Sequence, residues 1–233
     1  MPNEIGKLYI VATPIGNRDD ISLRAIKILK KVNYILSENT KYSYYFLKSF
    51  NIIKPLISFH IFNENKISDH IINKLKNGKS FALISNAGTP LINDPGFPLV
   101  KKARKEKIPV IPIPGACALI AAICSSGIPC NTFFFTGFLS SNSNNRKKQI
   151  EYIKYKKETT IIYETKYKII ESINNINEIY GIQYKYAIFK EITKSFETFI
   201  FETGDKIKSW ILLNQYNKKG EFIIILPKYT IKN

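Results

Sequence analysis

The chain has 233 residues, 45% of them hydrophobic, enough to fill one large or two modest cores. Apolar stretches such as 118–124 fall far short of the ~20 residues that cross a bilayer, and Met1-Pro2-Asn3-Glu4-Ile5-Gly6 forms neither a basic nor an apolar leader, so a cytoplasmic protein with no membrane partner is expected. With 35 Lys and Arg against 18 Asp and Glu the formal charge is +17, which points to a polyanionic partner, an evenly solvated basic surface being the plainer alternative.

In chain order, strand-like runs at 7–13, 33–37, 56–59, 80–84 and 108–112 alternate with amphipathic helical runs at 22–31, 42–50, 64–77, 97–107 and 117–125. That alternation predicts an α/β fold with a mainly parallel sheet. Within 42–50, Tyr42, Tyr45 and Phe46 follow i, i+3, i+4 spacing, which places at least part of the set in the core. The texture changes after Gly127-Ile128-Pro129, so two domains are expected, 1–129 and 130–233. The second reads as a strand at 132–136, a Ser/Asn loop at 140–145, a basic helix at 146–157, a strand at 159–164 and a helix at 167–180. Strands at 186–193 and 197–202 are close enough for a hairpin, and 221–227 supplies the last, giving a mixed α/β domain. Basic residues exceed acidic ones in both parts, 18 against 8 up to position 129 and 17 against 10 beyond it.

Cys117, Cys124 and Cys130 form no CxxC pair and leave an odd count, which fits a reducing compartment. Cys117 and Cys124, seven apart, are expected on one helix face as buried small apolar residues. His60 and His70 lack zinc-type spacing, so no metal is expected.

Glycine and proline gather at strand ends, where open α/β sheets bind ligands. The segment Ser85-Asn86-Ala87-Gly88-Thr89-Pro90-Leu91-Ile92-Asn93-Asp94-Pro95-Gly96 leaves a buried strand with two glycines that let a ligand approach the backbone and two prolines that fix φ. An ordinary strand-to-helix turn is the alternative reading. Thr13-Pro14-Ile15-Gly16-Asn17 is equally compact but carries neither GxGxxG nor a Walker pattern, which disfavours dinucleotides and nucleoside triphosphates. Pro114-Gly115-Ala116-Cys117-Ala118 opens a helix on small residues whose free amides suit a carboxylate or a ribose.

Taken together, Lys7-Leu8-Tyr9-Ile10-Val11-Ala12-Thr13-Pro14-Ile15-Gly16-Asn17, Asp20-Ile21-Ser22-Leu23-Arg24-Ala25 and the Gly88-Thr89-Pro90 to Asp94-Pro95-Gly96 loop resemble the ribosomal RNA small subunit methyltransferase I family, of the tetrapyrrole methylase fold class. The likeness runs on through Thr136-Gly137-Phe138, Tyr163-Glu164, Glu191-Ile192-Thr193-Lys194 and Gly220-Glu221-Phe222. The resemblance implies 2′-O-methylation of a cytidine in the decoding region of 16S rRNA, with S-adenosylmethionine in a cleft between two α/β domains of a homodimer acting on rRNA or the 30S subunit. By motif it implies Pro14, Gly88, Thr89, Ile92, Asp94, Ala116, Cys117 and Ala118 around the cofactor, with Tyr163 and Lys190 on the adenosine side. The chain departs from the family at Asn39, Lys41 and Asn86, where Asp, Arg and Asp are usual, and at Ala116-Cys117 and Thr165-Lys166-Tyr167-Lys168. Two carboxylates have become amides, so in an active chain neither lost Asp is an indispensable base.

Methyl transfer from a sulfonium dissipates positive charge, so a mostly neutral, backbone-lined pocket favours the transition state over the ground state. The acceptor hydroxyl needs a positioned proton acceptor or a lysine of lowered pKa. Glu38, Lys41, Glu191 and Lys194 are the candidates, phosphate contacts or loop hydrogen bonds being their plainer roles. Arg18, Lys41, Arg146, Lys147, Lys148, Lys166 and Lys168 flank loops and suit RNA phosphates, and nearby tyrosines suit base stacking. Two rivals stand: a tetrapyrrole methyltransferase, whose first loop is usually GxGPGD instead of Thr13-Pro14-Ile15-Gly16-Asn17, and a non-catalytic RNA-binding or ribosome-assembly protein.

Overall fold

Short apolar runs become strands and amphipathic runs become helices in the computed structural model, which describes residues 4–229. By contacts the chain forms two units, Met1–Cys117 and Ala118–Asn233. The first alternates β1 (Leu8–Val11), α1 (Leu23–Lys31), β2 (Tyr34–Ser37), α2 (Thr40–Lys48), β3 (Leu56–Ser58), α3 (Glu64–Lys76), β4 (Phe81–Leu83), α4 (Phe97–Lys105) and β5 (Val110–Ile113). Its strands pair in parallel in the order β3-β2-β4-β1-β5. Local chemistry sets the helix starts. The Ser22 hydroxyl accepts the Ala25 N–H at 3.1 Å and the Asn39 side-chain Oδ1 accepts the Tyr42 N–H at 3.0 Å, each satisfying an otherwise orphaned amide. Asn39 thus does at the N-cap what an Asp would do, which accounts for one of the two lost carboxylates.

Successive strand residues face opposite sides, so the sheet is covered twice. Ala25 and Leu29 of α1 and Leu47 of α2 join Val11, Ile35 and Ala82 in one cluster. Ile71, Ile72 and Leu75 of α3 and Leu99 and Ala103 of α4 join Leu8, Leu36 and Phe81 in the other. Each fully buried Leu contributes roughly 2 kcal/mol. Because β1 and β2 hand the chain to helices on one face and the intervening β4 hands it to the other, the strand order reverses at β4, the place where open α/β sheets bind ligands.

The second unit contains α5 (Ala118–Ser125), β6 (Phe133–Phe138), α6 (Ser143–Lys154), β7 (Thr159–Thr165), α7 (Ile169–Tyr180), β8 (Lys185–Lys190), β9 (Thr198–Thr203), α8 (Gly204–Leu213) and β10 (Glu221–Leu226). The sheet order is β6-β7-β10-β8-β9; β6 and β7 are parallel, the other pairs antiparallel, and β8–β9 is the expected hairpin. Ile150 and Ile153 of α6, Ile169, Ile173 and Ile176 of α7 and Ile207 and Ile211 of α8 pack with Ile162, Ile188, Phe222 and Ile224 in one core.

The units divide at Cys117 and Ala118, earlier than the boundary expected near 130, because α5 packs on β7 and β10 of the second sheet. The helix α8 was not expected, since only Ile207 and Ile211 mark its buried side. On α2 Phe46 packs half-buried against the core beside Ser43 and Leu47, as expected for part of that set, while Tyr42 and Tyr45 are exposed. Cys124 is exposed and Cys117 half-buried, so the pair is not a buried apolar couple.

Candidate active site

Three loops of the first unit are tied together at the strand ends. Thr13, after β1, and Gly88, after β4, form an antiparallel bridge, with N–H to carbonyl distances of 2.9 and 3.0 Å. The Thr13 hydroxyl adds contacts to the Ser85 and Gly88 carbonyls at 3.3 and 3.4 Å. The Thr89 hydroxyl donates to the Ala116 carbonyl at 3.0 Å, drawing in the loop after β5. Gly88 has φ +81°, and a Cβ there would lie 3.1 Å from Ile15; at Gly115 a Cβ would lie 3.0 Å from the Ala12 methyl. Pro14, Gly88, Thr89 and Ala116 are therefore gathered into one backbone-lined clamp, with little room for added side chains.

The 86–96 loop is held in a costly conformation. Leu91 and Asn93 have φ of 72° and 64°, a left-handed region that Leu avoids. Its far end is anchored by Glu64, a buried carboxylate at the start of α3, which accepts the Gly96 N–H at 2.7 Å. A Cβ on Gly96 would sit 2.7 Å from Leu83, so the anchor requires glycine. Glu64 carries no sequence signal for this role, being over thirty residues away on another helix. Thr13 likewise carries no signal beyond its place in the quoted motif.

Charge in this clamp is sparse. Asp94 is half-buried, and burial pushes its carboxyl up to about 6; a hydrogen bond from Ser85 opposes this and the Glu38 carboxylate adds to it. Glu38 leaves the end of β2 exposed, and the Asn86 amide donates to its Oε2 at 3.0 Å. The candidate proton acceptor Glu38 and the loop residue Asp94 are thus neighbours, as sequence position alone did not reveal. Lys41 lies exposed in the first turn of α2, and Ile92 is exposed on the clamp loop.

In the second unit the Tyr163 hydroxyl accepts the Leu119 N–H at 3.1 Å, joining β7 to the start of α5 at Ala118, and the ring rests edge-on to Phe135 at 4.8 Å. Glu191 (φ 52°) and Thr193 (φ 64°) form a second strained loop after β8, beside the buried Lys190. Burial alone would raise the Glu191 carboxyl, but the Glu221 N–H, Lys194 and Lys190 outweigh it and hold it low. Burial alone would lower the Lys194 ammonium, but bonds of 2.9 Å to Glu221 and Glu191 outweigh it and hold it above the usual lysine value. The expectation of a lysine with lowered pKa therefore fails at Lys194; the pair is a charged clamp.

The expected RNA contacts also separate. Arg146 is 2% exposed, and its guanidinium is spent on Asn175, the carbonyls of Ser140 and Ser141, and Glu171 at 2.7 Å, so it pins the 140–142 loop and is withdrawn from any polyanion. Lys147 pairs with Glu178 at 2.7 Å, and Lys168 with Glu171 at 3.3 Å. Lys148 is exposed, Lys166 lies 4.9 Å over the exposed Tyr167 ring, and Arg18 is exposed in the short 3-10 turn at Arg18–Asp20. Among the described residues no helix is long and apolar enough to cross a membrane.

The family model Tetrapyrrole (Corrin/Porphyrin) Methylases matches residues 7–208. Proteins named ribosomal RNA small subunit methyltransferase I are similar along nearly the whole chain. That of Buchnera aphidicola subsp. Baizongia pistaciae is 45% identical over 99% of this chain and 79% of its own length. That of Haemophilus influenzae is 40% identical over 97% and 80%, and that of Pseudomonas aeruginosa 37% over 95% and 78%. Among solved structures, a diphthine synthase superposes with TM-score 0.67 at 14% identity, covering 95% of this chain and 90% of its own. A uroporphyrin-III C-methyltransferase from Thermus thermophilus complexed with S-adenosyl homocysteine gives 0.65 at 12% identity, covering 95% and 97%. The last two show the shared fold, while the closer sequence relatives and the matching family model carry the conclusion that this chain belongs to the ribosomal RNA small subunit methyltransferase I family of tetrapyrrole methylases.

Proposed function

We propose that the chain transfers a methyl group from S-adenosylmethionine to the 2′-hydroxyl of a cytidine in the decoding region of 16S rRNA, in the cytoplasm and as a homodimer, on rRNA or the assembled 30S subunit. The observation that carries the reading is the Thr13–Gly88 bridge with its Thr89–Ala116 extension, which builds a neutral, backbone-lined clamp at the strand ends. Bound S-adenosylmethionine supplies an electrophilic methyl on a sulfonium. The clamp fits such a group in its chemistry: its lining is backbone and small neutral side chains, with Gly88 and Gly115 packed too closely against Ile15 and Ala12 to carry side chains of their own.

Pro14, Gly88, Thr89, Ile92 and Ala116 line the cofactor side in this reading, and Asp94 faces its polar portion. Cys117 and Ala118 are the further cofactor candidates by motif, as are Tyr163 and Lys190 for the adenosine. Glu38 would receive the proton that the 2′-hydroxyl loses as the methyl passes to its oxygen and the methyl–sulfur bond breaks, releasing neutral S-adenosylhomocysteine, and Lys41 would neutralise the adjoining phosphate. Glu191 and Lys194 keep the loop after β8 in shape. Arg18, Lys148 and Lys166 offer exposed charge to the RNA backbone.

Calorimetry with S-adenosylmethionine, followed by tritiated methyl transfer to undermethylated 30S subunits, free rRNA and a porphyrinogen, tests this. Label in RNA is expected. Label only in the tetrapyrrole, or no cofactor binding at all, would overturn the proposal.

A further inference from the structure

Five buried side-chain polar atoms have no hydrogen-bond partner among the described residues: Ser37 Oγ, Ser43 Oγ, Thr160 Oγ1, His60 Nδ1 and Asn86 Oδ1. Three are hydroxyls within regular elements, free to rotate, and His60 follows an edge strand. Asn86 differs, because its other end is fixed. Its Nδ2 donates to Glu38 Oε2 at 3.0 Å, so the carboxamide bridges the loops leaving β4 and β2. Turned over, the amide would set its carbonyl oxygen against the Glu38 carboxylate, so electrostatics decides which end points where. The carbonyl oxygen is then held in one direction, out of water, two residues from the bridge at Gly88 and in the loop that carries Asp94.

A buried acceptor left unsatisfied costs free energy, and a fold that pins such a group in a strained loop has a use for it. We propose that Asn86 is a positioning residue for methyl transfer: its amide fixes Glu38, and its carbonyl oxygen accepts a hydrogen bond from the bound ligand, either the ammonium or a hydroxyl of S-adenosylmethionine or the 2′-hydroxyl of the acceptor ribose. This rests on the methyltransferase reading above.

The experiment compares the wild type with N86A, which removes donor and acceptor, and N86D, which keeps an acceptor and loses the donor. Calorimetry gives the Kd for S-adenosylmethionine, and methyl transfer to undermethylated 30S subunits at saturating cofactor gives KM and kcat; equal melting temperatures establish folding. N86A is expected to weaken one binding constant about tenfold, the loss of one buried hydrogen bond. A loss in the cofactor Kd assigns the donor to S-adenosylmethionine, and a loss in KM with the Kd unchanged assigns it to the ribose. N86D is expected to recover that constant to within about threefold, because the acceptor is restored. N86A within twofold of wild type in both constants, or N86D no better than N86A, would overturn the proposal. A wild type that binds S-adenosylmethionine but leaves RNA unlabelled brings down the functional reading instead, and the cofactor arm then decides Asn86 by the same criteria.

Discussion

Two residues show how burial redirects side chains that look alike in the sequence. Asp94 ionises near 3.8 in the unfolded chain and near 6 when folded, mainly because burial penalises its charge. Between those values the folded state holds more protons, so its contribution to stability falls as pH rises through this window and stays reduced above it. D94N is accordingly expected to be more stable than wild type by about 1 kcal/mol at pH 8, a figure discounted for partial solvation, with the gap closing towards pH 4.5. Thermal melts at the two pH values check the sign. Arg146 reads as one more cation on a basic helix, but R146A would leave the Asn175 and Ser140 acceptors without their donor. A loss of about 3 kcal/mol in urea unfolding is expected, with no change in the salt dependence of RNA binding. A stable R146A would contradict the structural role assigned here.

At the scale of elements, strands with strong apolar runs and helices with clear caps were legible because local chemistry decides them. Ser22 before α1 and Asn39 before α2 are examples. The helix α8 was not, because its turn at Thr203-Gly204 and its two inward isoleucines give little periodic signal, while its place is set by contact with α7. Gly204 is the tight point: a Cβ there would fall 1.9 Å from Asn177 Oδ1, an atom that also accepts the Tyr186 hydroxyl at 3.3 Å. G204A is expected to cost about 2 kcal/mol, and N177A should relieve most of that cost in the double variant. Chemical denaturation of the two single variants and the double variant measures the coupling, and strict additivity would show that α7 and α8 do not meet there.

For the whole molecule, the charge of +17 makes binding to RNA a matter of counterion release. The logarithm of the affinity should fall linearly with the logarithm of salt concentration, and K148A and K166A should each reduce the slope by about one, measurable by filter binding between 50 and 200 mM salt. A slope unchanged in both variants would remove these lysines from the interface. The sequence by itself determined the alternation of strands and helices, the Gly-Pro loops and the family they resemble, because those features rest on local propensity and ordered motifs. Only the tertiary structure decided which charges are free, that Glu38 meets Asn86 and influences Asp94, that Glu191 and Lys194 hold one another charged, and that Arg146 is buried. Each of those outcomes depends on burial and on partners far apart in the chain, and neither can be read from spacing along it.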